Sequence, residues 1–317
     1  MMKKLIKILF IHLMAVSIIY IAFTAVVGIT GVDKYVRNIV NLEGAYGYLQ
    51  PRLKNAKNTK SDIIVLGSSH AYEGIDPKLL KETKHSVYNL GSSGQNPLVS
   101  YHILKEYAPI LQPKYLILEV YWSTYCSEGV TEACVDVISN DQLNSNYFSM
   151  ALSSLKPKVI NTFFSQWFRQ IANIPERPQQ DIFNQINHER GFTELKGVAD
   201  KASLMNLGTA RPKVNANKLR YIEKMVEYCK MNGIKPILIR TPVTKAYFNT
   251  LITYDEVTNP ILTICNKYNV DFIDYNRDST LKLTNENFAD KNHLNMSGVK
   301  IFNNQLSNDL IDSHFFN

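Results

Sequence analysis

The sequence predicts an α/β fold: a three-layer, doubly wound, mostly parallel sheet of the flavodoxin-like kind, carried behind an N-terminal transmembrane helix. Three observations predict it. Short runs of consecutive apolar residues, each ending in Gly, Ser or polar turn residues, recur through the body of the chain, the pattern of strands buried on both faces. Segments with helical spacing lie between these runs, and strands alternating with helices imply a parallel sheet covered by helices. The first thirty residues are apolar almost throughout. Composition agrees: 317 residues with 45% apolar and 20% charged, 14 Gly and 12 Pro, belong to a globular chain with a sizeable core. They exclude a collagen-like, largely disordered or polytopic membrane protein.

The elements follow in chain order. Residues 5–29 are interrupted only by Lys7, His12 and small hydroxyls such as Ser17 and Thr24, which a helix satisfies internally. A bilayer needs about 20 apolar residues. Lys3, Lys4 and Lys7 sit at the start of the run, so the N-terminus is expected in the cytoplasm and the body outside. A cleaved signal peptide has an apolar region of only about 7 to 15 residues before a small-x-small site. This run is longer and lacks A-x-A, so residues 1–32 are read as an uncleaved membrane anchor. Residues 33–60 are a polar and aromatic connector, helical in part, and 61–317 are the main domain. Its strands are expected at 63–66, 86–90, 115–120, 236–239 and 270–273. Helical spacing marks 98–107, 218–231, 260–268 and 298–311. Residues 126–213, rich in Asn, Ser, Gln and aromatics, break the alternation and are too long for a simple connection. They read as an insertion over one end of the sheet, where lids and substrate walls are built.

Charge and cysteine content narrow the function. Of the net +7, three charges belong to the N-terminal lysines, and the rest of the chain carries 32 basic against 28 acidic residues. That mild excess, without Lys and Arg interleaved with aromatics, is no footprint for nucleic acid. Four cysteines without a C-x-x-C pair indicate neither a zinc site nor a redox motif. Outside the cytoplasm Cys126 and Cys134 can pair or remain buried thiols, and both readings stay open.

Ligands of open α/β sheets bind outside the carboxyl ends of the strands. Three features fall there or nearby: Gly67-Ser68-Ser69-His70 after the first strand, Asn89 to Asn96 with its G-S-S-G after the second, and Asp290-Lys291-Asn292-His293 before the last helix. A hydroxyl becomes a nucleophile when a base takes its proton, and imidazole is the usual base near neutral pH. A carboxylate on the other ring nitrogen fixes the tautomer and stabilises the imidazolium. Ser69, His293 and Asp290 can fill these roles, with the backbone N–H groups of Ser69 and Gly94 as oxyanion donors. Singly, each feature has a plainer explanation: Ser69 as a helix cap, G-S-S-G as a turn, Asp290 and His293 as a capped helix start. Their order along the chain gives the set its weight. His70 is expected to point away from Ser69, and the other histidines to be surface or core residues. Glu119 either orients Ser69 or His70 or, more simply, caps a nearby helix.

This arrangement resembles the SGNH (GDSL-like) hydrolase family over about residues 61–125 and 214–312. Gly67-Ser68-Ser69 stands where the family has Gly-Asp-Ser, which puts the nucleophile at Ser69. Gly94 stands for the glycine of the second block, and Asp290 and His293 carry the final Asp-x-x-His. The third block, Gly-x-Asn-Asp, is missing: after the strand at 115–120 the chain reads Tyr121-Trp122-Ser123-Thr124, so Asn96 or Ser123 would have to supply the third oxyanion donor. The resemblance implies a serine esterase or acyltransferase that needs no cofactor or metal. With the anchor, it points to the branch that includes the D-alanine transfer protein and exopolysaccharide O-acetyltransferases, acting on saccharide or acyl-ester substrates beside a multi-spanning membrane O-acyltransferase. The contrasting expectation is an inactive polysaccharide-binding or scaffolding subunit. A phosphate- or nucleotide-binding domain would need a G-x-G-x-x-G or Walker loop, and the chain has neither.

Overall fold

A computed structural model describes residues 2–126 and 131–316. In chain order it runs α1 (Met2–Thr30), α2 (Leu49–Ala56), β1 (Ile63–Leu66), α3 (Ser69–Tyr72), β2 (Val87–Asn89), α4 (Pro97–Leu111) and β3 (Tyr115–Glu119). There follow α5 (Trp122–Cys126), α6 (Thr131–Asn140), α7 (Ser145–Ser153), α8 (Pro157–Ile171), β4 (Gln185–Asn187), β5 (Thr193–Leu195) and α9 (Lys201–Met205). The chain closes with α10 (Ala216–Met231), β6 (Lys235–Arg240), α11 (Lys245–Phe248), α12 (Tyr254–Tyr268), β7 (Phe272–Asp274) and α13 (Met296–Asp312).

Five strands form one sheet in the order β2-β1-β3-β6-β7, and every pair is parallel. All five carboxyl ends therefore face one rim. The chain order reverses at β1, so the crevice between the loops after β1 and β3 is the switch point where such sheets take ligands. β1 is buried at every position, as a strand between two layers must be. On one side Leu66, Leu104, Leu116, Val226 and Ile261 join a core that includes α4, α10 and α12. On the other Val65, Ile117, Ile239, Phe302 and Leu306 join one that includes α13. The α/β class predicted from the sequence is the class observed.

Several elements depart from the sequence expectation. α12 starts at Tyr254, ahead of the expected 260, and carries Pro260 in its interior. Asp255 and Glu256 in its first turn favour the helix N-terminus and set the earlier start. The stretch read as a connector is part of the core: Leu49, Leu53 and Ala56 are buried. Arg52 from the same helix donates to the Gly91 carbonyl, to Gly47 O (2.7 Å) and to Thr193 Oγ1 (3.0 Å). The insertion does not lie as one lid. α6 packs on α2 and α8, and α7 packs on α4, while the β4–β5 hairpin runs along the β2 edge, where Arg190 donates to Val87 O at 3.3 Å. All four cysteines, Cys126 and Cys134 included, are free thiols. α1 is a 29-residue helix long and apolar enough to cross a membrane.

Candidate active site

The loop after β1 turns sharply at Gly67, whose φ of 150° suits glycine. A Cβ there would lie 2.6 Å from Glu119 Cβ and 2.9 Å from Ala71 Cβ, so the close approach of β1, α3 and β3 also requires glycine. Ser68 then caps α3, its side chain accepting the His70 N–H, and Ser69 follows as the first helical residue, partly exposed at the rim. Ser69 rather than Ser68 faces the crevice.

The Asp290–His293 turn reaches the same rim from the far end of the chain. Asp290 Oδ1 accepts the backbone N–H groups of Asn292 and His293, both at 2.8 Å, which closes the turn. Thr244, after β6, holds it from outside by donating to Lys291 O (2.6 Å from Oγ1). His293 Nε2 consequently lies 2.8 Å from Ser69 Oγ, and His293 Nδ1 lies 2.8 Å from Asp290 Oδ2. Burial works against a charged His293, but the hydrogen bond to Asp290 and the negative charges of Glu73, Asp290 and Glu119 outweigh it, so its pKa is raised. The Asp290 carboxyl goes the other way: burial would raise it, yet the His293 hydrogen bond and charge, with the two backbone N–H groups, hold it down at about 2. The pair is therefore built to carry a proton on the imidazole beside a fixed anion.

The oxyanion candidates are less closely gathered. Gly94 sits in the turn after β2 with φ 57°. Among the described residues neither the Ser69 nor the Gly94 N–H donates to a protein acceptor. Asn96 caps α4, its Oδ1 accepting Val99 N at 3.2 Å, and is buried. Ser123 is exposed on α5.

One neighbour of the site, Glu73, escaped the sequence reading, and another, His70, departs from it. Glu73, which follows the short α3 as its C-terminal cap, is buried and places Oε2 3.8 Å from His293 Nε2, while its Oε1 accepts Gln185 Nε2 at 2.8 Å. Burial raises its carboxyl pKa, and the charge of His293 pulls it back. The i to i+4 spacing from Ser69 was the available signal. His70 does not point away: its ring stacks between Tyr121 (3.9 Å) and His293 (4.8 Å) and its Nε2 contacts Asn292 Nδ2 at 3.1 Å. Burial, with the His293 charge, holds His70 well below its ordinary pKa, so it packs as a neutral ring. Glu119 orients neither Ser69 nor His70. Its Oε2 accepts the Ser68 N–H (3.3 Å) and hydroxyl (3.1 Å), Oε1 is buried without a partner among the described residues, and burial pushes the carboxyl up to about 7.

Comparison with known proteins adds little to this. A protein-family model matches residues 179–315, under half of the chain. No curated protein matches it. Among solved structures, a GDSL-like lipase from Bacteroides thetaiotaomicron is 12% identical, with 83% of this chain and 92% of that one covered and a TM-score of 0.39. A lipase/acylhydrolase from Enterococcus faecalis is 11% identical, with 79% and 96% covered and a TM-score of 0.39. The psychrotrophic esterase EstA from a Pseudoalteromonas species is 12% identical, with 82% and 100% covered and a TM-score of 0.37. Likenesses this distant do not extend to chemistry, which is argued from the site itself.

Proposed function

We propose that this chain is a membrane-anchored, extracytoplasmic serine esterase or O-acyltransferase that works through an acyl-serine. The observation that carries the reading is the relay from Ser69 Oγ through His293 to Asp290, with 2.8 Å at each step. Ser69 Oγ attacks the ester carbonyl as its proton passes to His293 Nε2. The oxyanion is met by the Ser69 and Gly94 N–H groups, with Asn96 or Ser123 as a third donor. Collapse of this intermediate breaks the bond to the alkoxy oxygen, which leaves as an alcohol carrying the proton from His293. Water or a saccharide hydroxyl then gives its proton to His293 and takes the acyl group, and Ser69 is restored.

Ser69, His70, Glu73, Thr241 and His293 line a shallow crevice at the rim, where an ester carbonyl can reach the Ser69 hydroxyl. The apolar run of α1, which follows Lys3 and Lys4 at the helix start, supports the anchor and the outward orientation. The acyl-transfer relay and the anchor together fit an acyl-bearing saccharide of the cell envelope as substrate and a multi-spanning membrane O-acyltransferase as partner.

A fluorophosphonate probe and para-nitrophenyl acetate test the reading. Labelling and turnover are expected from the wild type and not from Ser69→Ala. Wild-type protein that neither labels nor turns over, while folded, would favour the inactive scaffolding subunit.

A further inference from the structure

We infer that α7 and α8 lie in the outer face of the bilayer beside α1, so that the protein is held by an embedded helical platform and not by a single tethering helix. The inference rests on the proposed anchor reading of α1. The C-terminal half of α1 is not free: Tyr20 donates to Asn161 Oδ1 at 2.7 Å, its ring meets Phe164 edge-on at 6.1 Å, and Thr24, Val27 and Gly28 are buried. A Cβ on Gly28 would come within 2.2 Å of Ser165 O, so this glycine is what lets the two backbones approach. About 20 residues are needed to span the hydrocarbon. Counted from Leu5, after Lys3 and Lys4, the span ends near Thr24. At about 1.5 Å per residue, Tyr20 and the α8 residues it touches then sit about 6 Å below the outer boundary.

The surface of α8 fits that depth. One face, with Val159 and Phe163, is buried against the domain. A second apolar stripe at helical spacing runs through Ile160 and Phe164, which are half-buried with Phe164 against Tyr20 of α1, to Trp167 and Ile171, which point outward at 41% and 58% exposure. The α7–α8 turn continues it with Leu152 at 46% and Leu155 at 82% exposure. A helix facing water turns its polar residues outward, whereas α8 buries Thr162, Ser165, Gln166 and Arg169 and leaves Trp167 and Ile171 exposed, and Trp is favoured at the membrane interface. The stripe is continuous with α1, whose own outward residues Phe23 and Val26 are exposed at 50% and 56%. Lipid is therefore the occupant.

The chain has two tryptophans, Trp122 in the core and Trp167 on the stripe, which supplies the test. Full-length Trp122→Phe protein is reconstituted into phosphatidylcholine vesicles and floated, with and without lipids brominated near the top of the acyl chains. Trp167 is expected to emit to the blue of tryptophan in water, to lose most of its emission to the brominated lipid and to resist acrylamide. If Trp122→Phe does not fold, the difference between wild type and Trp167→Phe gives the same signal. Quenching by acrylamide and not by bromolipid would overturn the inference, as would resistance to both, which would place a second protein over the stripe. Protein that fails to float overturns the anchor reading and this inference together, whereas floating protein with Trp167 open to acrylamide overturns this inference alone.

Discussion

Two polar centres sit at the same rim of the sheet, and they are built on opposite terms. Around Arg240 four hydrogen bonds engage the guanidinium, which has five N–H groups. The guanidinium is fully buried and donates to Val120 O (3.2 Å), Thr258 Oγ1 (2.8 Å), Asp274 Oδ2 (3.1 Å) and Tyr125 OH (2.7 Å). Tyr254 closes the cluster on Asp274. Around Ser69 the groups are fewer, shared and partly open: one hydroxyl on one imidazole, a crevice reaching solvent, and buried Thr241 Oγ1 and Glu119 Oε1 without partners among the described residues. A nearly saturated network has little left to offer a ligand, and an unsaturated one has more. The contrast fits Arg240 as a structural centre and Ser69 as the proposed nucleophile, although both stand at strand ends.

That assignment breaks first at Ser69. Ser69→Ala should lower acetyl-ester turnover by a factor of about 10⁴ or more while leaving the melting temperature nearly unchanged. Turnover surviving the substitution would move the chemistry elsewhere. Asp290→Asn keeps the shape of the turn but removes the anion that holds His293, and a loss of about 10² to 10⁴ in kcat is expected from steady-state kinetics. Arg240→Ala should do the reverse. Removing the buried cation from beside Asp274, which keeps its hydrogen bond from Tyr254, costs about 3–5 kcal/mol, read as a lowered denaturation midpoint, with turnover per folded molecule little changed. A large kcat defect in a folded Arg240 variant would erase the distinction between the two centres.

The smallest effect sharpens the comparison most. His293 must be neutral to accept the Ser69 proton, and its pKa is raised by Asp290 and by Glu73. The rate should therefore rise with pH through an apparent pKa above the usual value of about 6.5. Glu73→Gln removes one of the charges that favour imidazolium, so the rising limb of the kcat/KM profile should move to lower pH. An unmoved or upward-shifted limb would leave Glu73 with a structural role only.

How much of this could be read in advance follows from where the signals lie. β1 and β3 are continuous apolar runs closed by Gly or polar residues, so strands and rim were legible, and with them Ser69 and the Asp290–His293 turn. Glu73 was not, because α3 has four residues, too few for a period to show. His70 depends on a ring stacking on residues distant in sequence, Tyr121 and His293, which no local pattern carries. Arg52 looked like a charge in a polar connector, and its burial comes from carbonyls in two separate loops. The start of α12 was misplaced because Pro reads as a first-turn residue, whereas here the acidic pair before it sets the end. The outward stripe of α8 was visible only as a run of aromatics until burial separated its two faces.

The acyl-serine itself is the most direct test of the account. Full-length protein is mixed with para-nitrophenyl acetate, quenched in acid within the first turnovers and digested, and the peptides are weighed. One acetyl group on the peptide carrying Ser69, absent from Ser69→Ala and accumulating in Asp290→Asn if deacylation slows more than acylation, is the predicted result. An acetyl group found only on lysines, or none on the Ser69 peptide while product still forms, would contradict the mechanism.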